Sequence, residues 1–146
     1  MKKVVIFTDG ACRGNPGPGG WGVLLKYNGR EKTLYGAEEY TTNNRMELLA
    51  AIKALSALKE ACEIDFTTDS EYLRKGITEW ISQWKVKNWK NGAKKQVKNI
   101  DLWMQLDTEV QKHKITWHWV KSHSGHLENE LVDGLANRGI DEIINL

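Results

Sequence analysis

Three stretches with strand character come before the first long helical one, and that order narrows the fold more than any single residue does. They are 3–8, with the apolar run Val4 to Phe7, then "WGVLLKY" at 21–27, then 32–36. Further strands are expected at 64–68 and at 114–120, where "KITWHWV" alternates Trp117, His118 and Trp119. Helical spacing is expected at about 43–60, 70–79, 81–88, 99–112 and 127–141. Successive strands with short links form an antiparallel meander, whereas strand–helix–strand passages deliver parallel neighbours. The class is therefore α/β of the mixed α+β type: one mixed sheet covered by helices. A chain of 146 residues that is 40% hydrophobic suits a single domain spanning 1–146.

Asn43 or Asn44 is the expected N-cap of the first long helix, in which Leu48, Ile52, Leu55 and Leu58 recur at helical spacing. The last helix carries Leu131, Leu135 and Ile140 on one side, with Asp133 off that stripe. No charged-then-apolar leader opens the chain, and no apolar run approaches the ~20 residues needed to span a bilayer. A soluble cytoplasmic protein with no membrane partner is expected. Cys12 and Cys62 are too few for a disulfide framework or a four-ligand zinc site, so free thiols are expected.

The net charge of +2 conceals a strong asymmetry. Between 74 and 98 stand Arg74, Lys75, Lys85, Lys87, Lys90, Lys94, Lys95 and Lys98 against Glu79 alone, which leaves the remainder acidic. Trp80, Trp84 and Trp89 are interleaved with these cations. Such a segment is either a footprint for a polyanion or a solvated helical hairpin with its tryptophans packed underneath.

The first strand leaves the core through Thr8 and Asp9 into a loop rich in glycine that holds both prolines. The loop is not a nucleotide P-loop, because no Gly-Lys-Ser/Thr follows and a strand comes next where a helix is required. It reads as a turn, which leaves Asp9 unexplained. "DFTTDS" at 65–70 repeats the pattern and ends on Asp69, whose alternative reading is an N-cap for the helix near Glu71. If the two strands are parallel neighbours, Asp9 and Asp69 lie side by side beyond their carboxyl ends and repel unless a cation separates them. Glu47, expected in the first turn of its helix, and Asp133 complete a set of four carboxylates from four elements. Hard oxygen ligands of this kind fit magnesium or manganese. Zinc on His118, His123 and His126 is the runner-up.

The chain resembles a type 1 ribonuclease H of the bacterial kind. The motifs that carry the resemblance are "IFTDGACRGNPGPGGWG", "TTNNRMELLAAIKAL", "TTDS", the basic stretch with "NIDLW", and "WVKSHSGHLENELVDGLA", in that order over nearly the whole length. The resemblance implies a five-stranded mixed sheet flanked by helices, and an endonuclease that acts as a monomer on the RNA strand of an RNA–DNA hybrid. It implies metal ligation by Asp9, Glu47, Asp69 and Asp133, with His123 assisting proton movement or product release. Asn15, Asn43, Asn44 and Glu71 match positions that contact the minor groove and the RNA 2′-hydroxyls. Thr42 and Asn99 match a grip on a phosphate of the DNA strand, and 80–98, with Lys85, Lys87, Lys94 and Lys95, matches a basic protrusion that holds the hybrid. Two Mg2+ ions about 4 Å apart, or Mn2+ in their place, are implied, with 3′-hydroxyl and 5′-phosphate products. Tyr40, Ser122, Leu127 and Gly134 depart from the family pattern. A non-catalytic hybrid-binding module and a junction-resolving or strand-transferring nuclease are the rival readings.

Overall fold

The computed structural model describes residues 1–90, 96–121 and 127–145. Five strands, β1 (Lys2–Cys12), β2 (Gly17–Tyr27), β3 (Arg30–Thr41), β4 (Cys62–Thr68) and β5 (Lys114–Trp119), form one sheet in the order β3-β2-β1-β4-β5. β1 pairs antiparallel with β2 and parallel with β4, while β2–β3 is antiparallel and β4–β5 parallel. The mixed sheet expected from the order of the strands is the sheet observed.

The first two strands run further than their hydrophobic pattern does. Asp9↔Gly22 and Cys12↔Gly19 still pair, so β1 continues through Asp9 and much of the glycine-rich stretch is β2 itself. The expectation that the strand stops at the carboxylate is corrected: ladder hydrogen bonds, which polar and glycine residues make as well as apolar ones, carry it on.

Helix α1 (Asn43–Ser56) covers one face of the sheet and α5 (Leu127–Ile144) the other. Adjacent residues of β1 and β2 alternate between them: a Cβ at Gly10 would strike the α1 backbone at Met46 and Glu47, and one at Gly22 would strike the α5 backbone at Val132. These two glycines let both helices lie against the strands, and both stand beside acidic positions.

The N-cap of α1 is Thr42, whose Oγ1 accepts from the Arg45 N–H at 3.2 Å, rather than Asn43 or Asn44. Glu47 therefore lies beyond the first turn, where the helix dipole gives it little support. On α5 the buried side is Asn129, Val132, Ala136, Gly139 and Ile140, and Leu131 is exposed. Of the expected stripe, Ile140 is fully buried, Leu135 half-buried and only Leu131 exposed, and the small residues Ala136 and Gly139 seat the helix against the strands. The expected helices 70–79 and 81–88 are α2 (Glu71–Lys75), a π-helical turn (Gly76–Trp80) and α3 (Ile81–Val86), followed by α4 (Ile100–Val110).

The main core lies between the sheet and α1, with Ile6, Val23, Leu48, Leu55, Phe66 and Trp103 fully buried there. Cys12 and Cys62 are free thiols. Among the described residues no helix is long and apolar enough to cross a membrane.

Candidate metal centre and substrate cleft

The β1–β4 ladder ends at Phe7↔Thr67. Carried on at the same offset, it sets Asp9 level with Asp69, which follows β4 directly. The strands separate there, and both carboxylates emerge at the gap, as expected for an open sheet. Asp69 is not the cap of the following helix, because Ser70 is: its Oγ accepts from Leu73 N–H at 3.1 Å. Capping therefore does not account for Asp69, and its carboxylate lines the cleft.

Glu47 reaches the same point from α1. Its Oε1 accepts from the Gly10 backbone N–H at 3.1 Å, and its buried Oε2 has no hydrogen-bond partner among the described residues. One ligand oxygen each from Asp9, Glu47 and Asp69 lie within 4.8 Å of one another. Asp133 lines the cleft with them and hydrogen-bonds to Asp9.

Burial, more than any other cause, pushes the Asp9 carboxyl up to about 10, with further contributions from the charge of Glu47, a hydrogen bond to Asp133 and the charges of Asp69 and Asp133. Glu47 is pushed up to about 8 by burial and then by Asp69, against the opposing Gly10 amide. Without a cation Asp9 and Glu47 resist ionisation at neutral pH. A buried oxygen with no donor, in a cluster of hard oxygens that resists ionisation, fits a divalent cation and lacks the soft ligands that select otherwise.

Two residues that support Asp133 escaped the sequence reading. Asn137 Nδ2 donates to the Asp133 carbonyl at 3.0 Å and to Oδ1 at 3.4 Å, and Asn137 Oδ1 accepts from Arg13 Nη2 at 3.3 Å. Arg13 is itself anchored on Asp141 at 2.6 Å. The only signal in the sequence is the i+4 spacing of Asn137 from Asp133, which many helical pairs share.

Asn43, Asn44 and Glu71 line the cleft beside the acids. Asn15 stands at its rim, where its Oδ1 accepts from the Asn43 N–H at 3.0 Å. Thr42 and Asn99 meet across Arg45, the first through its capping bond and the second through Oδ1 at 3.2 Å from Nη1. Lys85 is paired with Asp107 at 2.9 Å, whereas Lys87 is exposed. Lys94, Lys95 and His123 lie outside the described residues, as do Ser122 and His126. Trp80, Trp84 and Trp89 form a chain of ring contacts that reaches Trp103, so the tryptophans of the basic segment pack underneath and its described lysines point outward. His118, from the zinc alternative, is engaged elsewhere: its Nε2 lies 2.8 Å from Asp65 Oδ1 on the exposed side of β4–β5. Among the described residues the only cluster able to hold a metal is that of Asp9, Glu47 and Asp69.

The RNase H family model matches residues 1–141. The ribonuclease H of Legionella pneumophila strain Lens is 66% identical over 141 residues, covering 97% of this chain and 99% of the relative. The crystal structure of LC9-RNase H1, described as a type 1 RNase H with the type 2 active-site motif, is 33% identical with a TM-score of 0.88, over 97% of this chain and 74% of that one. LC11-RNase H1 in complex with an RNA/DNA hybrid shares the fold at 23% identity and a TM-score of 0.69, over 97% of this chain and 99% of that one.

Proposed function

Since the chain belongs to the ribonuclease H family, a family of metal-dependent nucleases, we propose that it hydrolyses the RNA strand of RNA–DNA hybrids at the acid cluster, leaving 3′-hydroxyl and 5′-phosphate ends. The observation that carries this reading is the meeting of Asp9, Glu47 and Asp69 oxygens, drawn from a strand, a helix and a strand–helix junction, within 4.8 Å. The resemblance to LC11-RNase H1, which binds such a hybrid, supports the substrate class.

Asp9, Glu47, Asp69 and Asp133 would hold two Mg2+ ions, or Mn2+, which when bound supply Lewis-acid activation of a water and charge neutralisation at the departing oxygen. The residues themselves set the geometry. Gly10 N–H fixes Glu47 through one oxygen and leaves the other toward the cluster. Asn137 holds the Asp133 side chain in place. Hydrolysis joins the water oxygen to phosphorus and breaks the bond to the 3′ oxygen, which leaves with a proton. His123 is the residue we assign to moving that proton or freeing the product.

Asn15, Asn43, Asn44 and Glu71 are assigned to the minor groove, where side-chain donors and acceptors read the 2′-hydroxyl that distinguishes RNA. Thr42 and Asn99 are assigned to a DNA-strand phosphate, and Lys85, Lys87, Lys94 and Lys95 to sequence-independent backbone attraction. Lys85 must exchange its Asp107 partner to serve, so it contributes least among them. The chain is taken to work as one domain, a monomer in the cytoplasm.

The test is incubation of the purified protein with a labelled RNA–DNA hybrid, a DNA duplex and an RNA duplex, each with and without magnesium. Cleavage of the hybrid RNA alone, dependent on the cation, is expected. Binding without turnover would make the chain a hybrid-binding module, and cutting of the DNA duplex would move it to the junction-resolving class.

A further inference from the structure

The contact between the start of α1 and the start of α4 is built around one guanidinium. Arg45 Nη1 donates to Asn99 Oδ1 at 3.2 Å and to Asp101 Oδ1 at 3.0 Å, and Nη2 donates to Asp101 Oδ2 at 2.7 Å. The other end of the Asn99 amide is also tied, since Nδ2 donates to the Tyr72 hydroxyl at 3.0 Å, and that oxygen accepts from Trp103 Nε1 at 3.0 Å as well.

This arrangement determines which way the Asn99 amide faces. A guanidinium can only donate, so it holds the amide oxygen and turns the nitrogen away. One Nδ2 hydrogen goes to Tyr72, and the other has no partner among the described residues. The Thr42 hydroxyl accepts from Arg45 N–H, and its hydrogen has no acceptor among the described residues. Local stabilisation has been given up to achieve this. Asn99 occupies the N-cap position of α4 in the left-handed region, φ 61°, yet its side chain makes no capping bond. Asn is among the best caps, each typically worth about 1 kcal/mol, so an Asn diverted from that role toward a cation and a tyrosine points to a second use. Arg45 is largely occupied by the Asp101 fork and by Asn99, which suits it to orienting a neighbour more than to binding an anion directly.

We propose that Arg45 is a positioning residue for DNA-strand recognition: it locks the Asn99 amide so that Asn99 and Thr42 present N–H and O–H together to one phosphate. The inference rests on the hybrid-cleaving reading and adds to it a residue that touches neither the reacting atoms nor the phosphate. A lysine at the position would keep the charge but lose the planar fork that holds Asp101 and Asn99 at once.

The experiment is steady-state cleavage of the hybrid by the parent, Arg45→Lys, Asn99→Ala and the double variant. Arg45→Lys is expected to raise KM about 5- to 10-fold with kcat within about two-fold. It should add almost nothing on the Asn99→Ala background, because both changes remove the same interaction. Neutralising single DNA phosphates as methylphosphonates should weaken binding to the parent at one position, and Arg45→Lys should lose that sensitivity. An unchanged KM for Arg45→Lys, or its full penalty repeated on the Asn99→Ala background, overturns the inference. Should Arg45→Lys fold poorly, Asp101→Asn releases the same fork from an exposed carboxylate. A rise in KM at constant kcat then supports the inference and an unchanged KM overturns it. Failure of the parent to cut any hybrid would instead refute the reading beneath.

Discussion

The acid cluster and the basic segment are both concentrations of charge, yet they are built on opposite terms. Asp9 and Glu47 are almost fully buried, come from separate elements and stand where ionisation is resisted. The described cations of the basic segment are exposed, with tryptophan beneath them, and Lys85 is paired with Asp107. Buried like charges cost stability and are tolerated where something else neutralises them; exposed lysines cost almost nothing and bind almost anything negative. The first region therefore specifies chemistry, and the second adds affinity without discrimination.

Asp9→Asn breaks this contrast most sharply. Loss of a central ligand should reduce hybrid cleavage by about 1000-fold or more while binding at low salt persists on the basic side. The same change removes the cost of holding a buried carboxyl protonated far above its ordinary range, so the metal-free protein should become more stable by a few kcal/mol at neutral pH, on the order of 1.4 kcal/mol for each pH unit above that range. Turnover is measured on labelled hybrid, and stability by urea unfolding in chelator. A variant that is inactive and less stable would show that Asp9 supports the fold rather than burdening it.

The pH dependence sharpens the same point. Acids whose folded pKa is raised leave stability intact below the ordinary carboxylate range and remove it as pH climbs toward the folded values. For Glu47 and Asp9 that window runs from about 4 up to about 8 and about 10. Metal-free protein should thus lose about 1.4 kcal/mol per pH unit for each of the two acids, several kcal/mol between pH 5 and 8, with a smaller loss in magnesium and in Asp9→Asn. A flat profile in chelator would mean the cluster is better solvated than its burial implies.

Neutralising Lys87, Lys94 and Lys95 together should act only on binding. KM for the hybrid should rise about 10-fold at moderate salt, kcat should hold, and the slope of log affinity against log salt should fall by about one for each phosphate no longer neutralised. A fall in kcat would tie the basic segment to the chemistry and dissolve the division between the two regions.

Much of this was legible in the chain. The succession of strands and helices and the mixed character of the sheet follow from hydrophobic period, and the repeated Thr–Asp ending sets Asp9 level with Asp69 on one condition, that β1 and β4 are parallel neighbours, which the structure meets. What the pattern missed shares one cause: backbone and side-chain hydrogen bonds carry no periodic signature. β1 runs on through Asp9 because ladder bonds continue beyond the apolar run, and Thr42 rather than Asn43 caps α1 because capping depends on one side-chain torsion. The buried side of α5 differs from the expected stripe for a related reason, since close approach of its backbone to Gly20 and Gly22 at Ala136 and to Gly36 at Gly139 favours small residues there and leaves Leu131 exposed. Arg13, Asn137 and Arg45 reach their partners only through the tertiary fold.

The smallest expected effect tests how local the precision of the acid region is. Gly134 follows Asp133 inside α5, is exposed, and a Cβ there would meet nothing within 4 Å. Its conformation is helical, so glycine is not required and costs entropy that alanine would not. Gly134→Ala should raise stability by about 0.5–1 kcal/mol, read as a higher urea midpoint at unchanged slope. Because Asp133 is held through Asn137 on the next turn rather than through its exposed neighbour, kcat and KM should be unaffected. A drop in kcat at unchanged stability would show that this helix must flex beside the acids, and the contrast between a rigid buried centre and a tolerant surface would fail at the point where the two meet.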